Sequence, residues 1–192
     1  MVNSIFWLAP AASILALFFA WFFFKQMMKE SEGTEKMASI ASYVRKGAMA
    51  YLKQQYKVVG MFFIVIMVIF LILAYGFNVQ NPWVPFAFIT GGFFSGLSGF
   101  FGMKTATYAS ARTANAARES LNKGLKIAFR SGAVMGLVVV GLGLLDISIW
   151  FTILNIVYPH ATDAHNLVIV TTTMLTFGMG ASTQALFARV GG

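Results

Sequence analysis

Long uncharged stretches alternate along the chain with shorter stretches that carry nearly all of its charges. Five stretches are each long enough to cross a hydrocarbon core of roughly 30 Å as an α-helix. They occupy residues 4–24, 58–77, 83–103, 131–158 and 166–188, and Asp146 is the one charged residue within them. Runs of this length exclude a membrane β-barrel, which needs short segments of alternating hydrophobicity. The pattern predicts an all-α integral membrane protein with about five transmembrane helices.

The first stretch has one alternative interpretation, a cleaved signal peptide. No basic segment precedes it, and its apolar run is longer than a signal peptide needs. Its end at Phe22, Phe23 and Phe24 also lacks the small residues of a cleavage site. We therefore expect residues 4–24 to remain in the protein as a span.

Lysine and arginine residues lie in alternate connections between the predicted spans. The segment at 25–57 carries seven, the segment at 104–130 carries six, and Arg189 ends the fifth span, which accounts for all 14. The connections at 78–82 and 159–165 carry none. Because cytoplasmic loops hold the excess of Lys and Arg, we expect the N-terminus outside and the C-terminus in the cytoplasm. This topology accounts for the net charge of +8, so no nucleic-acid partner is predicted.

The long cytoplasmic connections are themselves predicted to be helical. Apolar residues recur at intervals of three and four within residues 34–56, which predicts an amphipathic helix. Ser31 or Thr34 can cap its start, and Glu35 suits the positive end of the helix dipole. Residues 105–126 are rich in alanine and form a second predicted helix, which continues from the third span.

Composition agrees with a lipid environment. The sequence is 58% hydrophobic and 10% charged, which leaves too few polar groups to cover a soluble protein. The absence of cysteine excludes disulfides, thiolate metal sites and cysteine nucleophiles. Small residues four positions apart, such as Gly92 and Gly96 or Gly132 and Gly136, predict helix faces for close packing.

Two ionisable residues stand out because charges at membrane depth are costly. Asp146 lies near the middle of the fourth span, where a charge costs about 2.5 to 3.5 kcal/mol. It is either an ion or proton site or a hydrogen-bonded acid that locks two helices, and both interpretations stay open. Arg189 cannot shed its proton, so it must reach the cytoplasmic interface or a carboxylate from another helix.

No catalytic or metal-binding residue is predicted within these 192 positions. His160, Asp163 and His165 cluster in the second outer connection, but they lack the spacing of a zinc site. An ordinary polar turn is the preferred interpretation of that segment.

Several sequence blocks together resemble the membrane-bound, ion-translocating inorganic pyrophosphatases. The blocks occur in the family's order and are GAMAYLKQQY at 47–56, ASARTANAA at 109–117, FRSGAVMG at 129–136 and GMGASTQALFARVGG at 178–192. The last block resembles the family's fifth span as it enters the active site. These blocks extend from the first cytoplasmic helix to the last residue of the chain.

The resemblance implies a homodimeric pump in a bacterial inner membrane. Such a pump hydrolyses inorganic diphosphate with Mg²⁺ and couples the reaction to export of sodium or protons, and K⁺ and Na⁺ are further candidate ions. The resemblance assigns Arg189 to an ion-pair network between the hydrolytic centre and the ion gate, with partners on helices beyond this sequence. It assigns no role to Asp146 and does not decide between sodium and protons.

The resemblance also implies that residues 1–192 are the amino-terminal part of a larger pump domain. In the family, the ligands for magnesium and diphosphate begin just after the Arg-Val-Gly-Gly stretch, with which this sequence ends. The six acidic residues are scattered, with Glu30, Glu32 and Glu35 assigned to the first cytoplasmic helix, and cannot chelate magnesium with diphosphate. The chain alone is therefore predicted to be inactive. The alternative is a non-enzymatic scaffold or channel subunit of five membrane helices.

Overall fold

Long helices form where the uncharged stretches predict them. The computed structural model describes residues 4–158 and 164–191, and all regular elements within these ranges are helical. The chain begins with a short 3₁₀ turn, Ser4–Trp7. Five α-helices follow in order: α1 (Leu8–Met28), α2 (Glu35–Leu71), α3 (Val84–Glu119), α4 (Leu121–Val157) and α5 (Ala164–Gly191). The prediction of an all-helical protein is confirmed.

Four helical segments are long and apolar enough to cross a membrane. They are Ile5–Met28, Glu35–Gly76, Val84–Glu119 and Leu121–Val157. The fifth predicted span, at 166–188, lies in α5, which is not among them because threonine, serine and glycine lower its hydropathy. The threonine hydroxyls are satisfied within the helix, as in the 2.8 Å hydrogen bond that Thr173 donates to the carbonyl of Ile169.

The predicted cytoplasmic helix at 34–56 is continuous with the span predicted at 58–77. Both belong to α2, which no proline interrupts, and a π-helical turn at Ile72–Gly76 ends the segment. Thr34 caps α2, because its hydroxyl accepts a 3.4 Å hydrogen bond from the backbone N–H of Met37. Glu30 and Glu32, which were assigned to this helix, lie instead in the connection that precedes it.

The prediction of a single helix over 105–126 is wrong, because the chain reverses at Ser120. This residue has an extended backbone (φ −162°, ψ 148°), and its hydroxyl accepts a 3.2 Å hydrogen bond from the N–H of Lys123. It ends α3 and caps α4. The helix that contains the fourth span therefore begins at Leu121 rather than at 131.

The two central helices of the described bundle are α3 and α4. The most extensive packing joins α3 to α4, α1 to α4 and α3 to α5, and α2 packs along α3. A buried cluster that includes Trp150, Leu154 and Phe177 joins α3, α4 and α5. A second cluster around Val134 and Val138 joins α4 to α1. Most of the surface of α1 and α2 stays apolar and exposed, which suits contact with lipid or with further helices.

The backbones of α3 and α5 approach so closely that the crossing requires glycine on both helices. A Cβ atom at Gly91 would overlap the carbonyl oxygen of Phe177, and a Cβ atom at Gly180 would overlap that of Phe88. The Ser95 hydroxyl also donates a 3.1 Å hydrogen bond to the carbonyl of Ala181. Small residues that permit such an approach are a main source of helix association in membranes. The crossing therefore fixes α5 in one register along α3.

We expect Gly180→Ala to destabilise the bundle by about 1–3 kcal/mol, because the added methyl group forces two backbones apart. Gly178→Ala is the matched control on the same helix, since a Cβ atom there meets nothing within 4 Å. The measurement is the unfolding midpoint of the detergent-solubilised chain during titration with a denaturing detergent. Equal midpoints for the two variants would contradict the close crossing.

Candidate functional site

Asp146 is buried inside the helical bundle, near the middle of the fourth predicted span. Its side chain is 1% exposed, and its Oδ2 atom has no hydrogen-bond partner within the described ranges. The hydroxyl of Ser148, two residues along α4, is likewise buried and without a partner there. Buried polar atoms are nearly always paired, so these two atoms make this part of α4 a candidate polar site.

The face of α4 that carries Asp146 packs toward α3 and α5. Trp150 lies one helical turn further along this face, and its indole N–H donates a 2.7 Å hydrogen bond to the Thr90 hydroxyl of α3. The Trp150 ring also packs in the buried cluster with Ala87 and Phe177. Asp146 is thus positioned by the same packing that orders the interior of the bundle.

Arg189 lies in the last turn of α5 and is exposed. The structure gives it no ion pair with any residue of 4–158 or 164–191. Two residues earlier in α5, the carbonyl of Phe187 accepts a 3.2 Å hydrogen bond from the Gln55 side chain, which ties α5 to α2. The guanidinium is therefore carried by an anchored helix and presented at its end.

Asp146 and Arg189 are not brought together. Asp146 occupies the middle of α4, whereas Arg189 lies near the end of α5, and no ion pair of the described residues joins them. Any joint role of these two residues must therefore act through other groups.

Two of the ion pairs meet in a group that the sequence patterns did not identify. It consists of Glu32, Arg45, Tyr108 and Arg112 and is called the Glu32 cluster below. The Glu32 carboxylate accepts hydrogen bonds from Arg45 at 2.7 Å and from Arg112 at 2.8 Å. Both guanidinium groups also lie against the Tyr108 ring, at 4.7 Å and 5.8 Å from its centroid. The cluster joins the α1–α2 connection to α2 and α3.

Charge in the Glu32 cluster is unbalanced, since two guanidinium groups share one carboxylate. The hydrogen bond from Arg45 holds the pKa of Glu32 below its ordinary value of 4.5, and the charge of Arg112 acts in the same direction. Partial burial opposes this shift but is outweighed. The stabilisation that ionised Glu32 supplies is therefore complete above its ordinary pKa, and it is lost as the pH falls through the lowered pKa.

The described residues offer no site for a metal ion bound by several acidic or histidine side chains. Nowhere in 4–158 or 164–191 do three His, Cys, Asp or Glu residues form a group that could hold a metal ion. Magnesium with diphosphate needs several oxygen ligands at one place, so these residues do not fit that group. His160 and Asp163 of the predicted polar turn lie outside the described residues.

Comparison with known protein families identifies the family of this chain. Residues 14–192 match the family model described as "Inorganic H+ pyrophosphatase". The chain belongs to the membrane-bound pyrophosphatase family. The resemblance seen in the four sequence blocks is confirmed.

Relatives of this chain include proteins described as sodium pumps and as proton pumps. The chain is 73% identical over its whole length to the "Putative K(+)-stimulated pyrophosphate-energized sodium pump" of Bacteroides thetaiotaomicron and covers 26% of that protein. It is 39% identical, over 98% of its length, to the "K(+)-insensitive pyrophosphate-energized proton pump 2" of Moorella thermoacetica, of which it also covers 26%. The chain thus spans about a quarter of the length of these relatives.

Replacing Glu32 by glutamine is expected to destabilise the chain by about 1–3 kcal/mol at neutral pH, because two guanidinium groups lose their charged acceptor. Glu35→Gln is the control, since Glu35 is exposed in the first turn of α2. Unfolding midpoints measured from pH 7 down to below 4.5 give the result. The deficit of Glu32→Gln should shrink at the acid end, and a deficit independent of pH would contradict the ion-pair account.

Proposed function

We propose that this chain is the amino-terminal part of a pump that couples hydrolysis of inorganic diphosphate to export of sodium or protons. The proposal is carried by the family match over residues 14–192, which leaves about three quarters of the relatives' length beyond this chain. The non-enzymatic scaffold or channel subunit, the alternative from sequence, has no comparable support.

The proposed pump places all five helices across the membrane. For the four candidate spans, length and hydropathy are sufficient support for a membrane-crossing position. For α5, the internal hydrogen bonds of its threonines and its tight crossing with α3 support burial among other helices at membrane depth. The distribution of Lys and Arg supports an outside N-terminus and a cytoplasmic C-terminus, in a bacterial inner membrane.

The reaction site is proposed to lie mainly outside these residues. The described acids are Glu30, Glu32, Glu35, Glu119 and Asp146, and none of them gathers with others into a ligand set for Mg²⁺. We infer that the ligands for magnesium and diphosphate, and any site for K⁺ or Na⁺, belong to the remaining helices. A homodimer of the completed pump follows the family resemblance.

Arg189 is proposed as the contribution of this chain to ion coupling. It is a permanent cation at the exposed end of a helix that both α3 and α2 hold in place. Such a guanidinium needs carboxylate partners at membrane depth, and the remaining helices would supply them. In this role Arg189 belongs to an ion-pair network between the hydrolytic centre and the ion gate.

Asp146 is proposed as a second intramembrane polar site. Its burial and its unpaired Oδ2 atom support a carboxyl that exchanges an ion or proton during transport. A purely structural acid would be expected to show a partner on α3 or α5, and none of the described hydrogen bonds involves Oδ2.

The purified chain alone should release no phosphate from diphosphate, because it lacks a ligand set for magnesium. The measurement is phosphate release with and without Mg²⁺, compared with a preparation from cells that carry the empty vector. Magnesium-dependent release above that control would contradict the proposed division of the pump.

In the full-length pump, Arg189→Lys and Asp146→Asn should each lower the number of ions moved per diphosphate hydrolysed by about tenfold or more. Lysine keeps the charge of Arg189 but not its forked donors, and asparagine keeps the size of Asp146 but cannot ionise. Transport and hydrolysis are measured together in sealed vesicles, with Gly178→Ala as a control variant. An unchanged ratio for either variant would remove that residue from the coupling route.

A further inference from the structure

An apolar groove runs along the outside of the bundle between α1 and α3. Its floor is formed by Val134, Val138 and Leu142 of α4, and its volume is about 310 Å³. This volume lies at the lower end of the range for small-molecule sites, roughly 300–1,000 Å³. We call it the α1–α3 groove.

The α1–α3 groove has a buried floor and an exposed rim. The three floor residues are 3–8% exposed, whereas Trp21 of α1 and Phe101 of α3, which line the rim, are 57% and 41% exposed. The floor extends over nine residues of α4, from Val134 to Leu142, which is about 12 Å of helix. A groove of this length and apolar lining accommodates part of an extended acyl chain.

Two lysines lie at one end of the α1–α3 groove. Lys104 lines the groove directly, and the Lys25 ammonium lies 5.1 Å from the centre of the Trp21 ring on the opposite wall. Neither Lys25 nor Lys104 forms an ion pair with a described residue. Glu30, Glu32 and Glu119 pair with other cations. The groove therefore combines an apolar channel with uncompensated positive charge at its mouth.

The position of this mouth matches a membrane interface. Lys25 directly follows the uncharged stretch at 4–24, and Lys104 directly follows the one at 83–103. Tryptophan and lysine at such boundaries typically lie at the level of the lipid headgroups. Anionic lipids are attracted to basic residues at this level, by about fivefold in affinity for each Lys or Arg.

We propose that the α1–α3 groove is a binding site for one anionic phospholipid. The acyl chain lies on the α4 floor between Trp21 and Phe101, and the phosphate lies between Lys25 and Lys104. The lipid occupies the outer groove between α1 and α3, above the α4 floor. Its occupancy does not require diphosphate hydrolysis, and it rests on the proposed function only in that the test uses the full-length pump.

The test measures quenching of Trp21 fluorescence by brominated lipids in the full-length pump. Vesicles of phosphatidylcholine contain an equal, low mole fraction of either brominated phosphatidylglycerol or brominated phosphatidylcholine. The Trp21→Phe variant isolates the signal of Trp21 from other tryptophans. Brominated phosphatidylglycerol should quench Trp21 at an apparent concentration at least about fivefold lower than brominated phosphatidylcholine.

Two variants separate the site from general lipid contact. Lys25→Gln combined with Lys104→Gln should abolish the preference for phosphatidylglycerol, whereas Lys53→Gln, an exposed lysine of α2, should leave it unchanged. Val138→Phe fills the floor and should weaken quenching by phosphatidylglycerol while both lysines remain.

Equal quenching by both lipids would overturn the proposal, because it would show only unselective lipid around the helices. Quenching by neither lipid would also overturn it, because another helix of the pump would then cover the groove. Diphosphate hydrolysis is measured on the same vesicles. Loss of hydrolysis with an intact lipid preference would count against the proposed pump and not against the lipid site.

Discussion

The close crossing of α3 and α5 is the contact on which the rest of this bundle depends. Because neither Gly91 nor Gly180 can carry a side chain there, the two helices have one register, and the hydrogen bond from Ser95 to Ala181 fixes it further. α3 also packs along α4 and α2, so it connects α5 to the rest of the bundle, and α1 packs mainly on α4. The same contact sets the position of Arg189, in the last turn of α5, relative to α3.

A second constraint comes from the different solvents along each helix. In hydrocarbon the backbone must be satisfied within the helix, so packing relies on shape, whereas charged contacts are confined to the basic end of the bundle. The Glu32 cluster lies there and joins three segments through one carboxylate. Asp146 is the exception, an acid without a described partner for its Oδ2 atom at membrane depth, and for this reason it is a candidate for function rather than for packing.

The sequence predicted the features that depend on local patterns. Uncharged runs identified the helices, and the spacing of small residues identified α3 as a packing helix. The same spacing also predicted close packing at Gly132 and Gly136 of α4, but a Cβ atom at either position would meet nothing within 4 Å. The crossing of Gly91 with α5 and the joining of Glu32 to Arg112, 80 residues apart, depend on tertiary arrangement and have no local signal. The turn at Ser120 was missed because the alanine-rich sequence before it favours helix, and one capping hydroxyl decided the break.

We propose that these helices form a separable, docking-competent part of an ion-pumping pyrophosphatase. The most direct measurement is magnesium-dependent diphosphate hydrolysis in membranes that contain this chain together with the complementary remainder of the Bacteroides thetaiotaomicron relative, which is 73% identical over the shared region. We predict activity when both polypeptides are present and none with the remainder alone. No activity with both polypeptides inserted in the membrane would contradict the account.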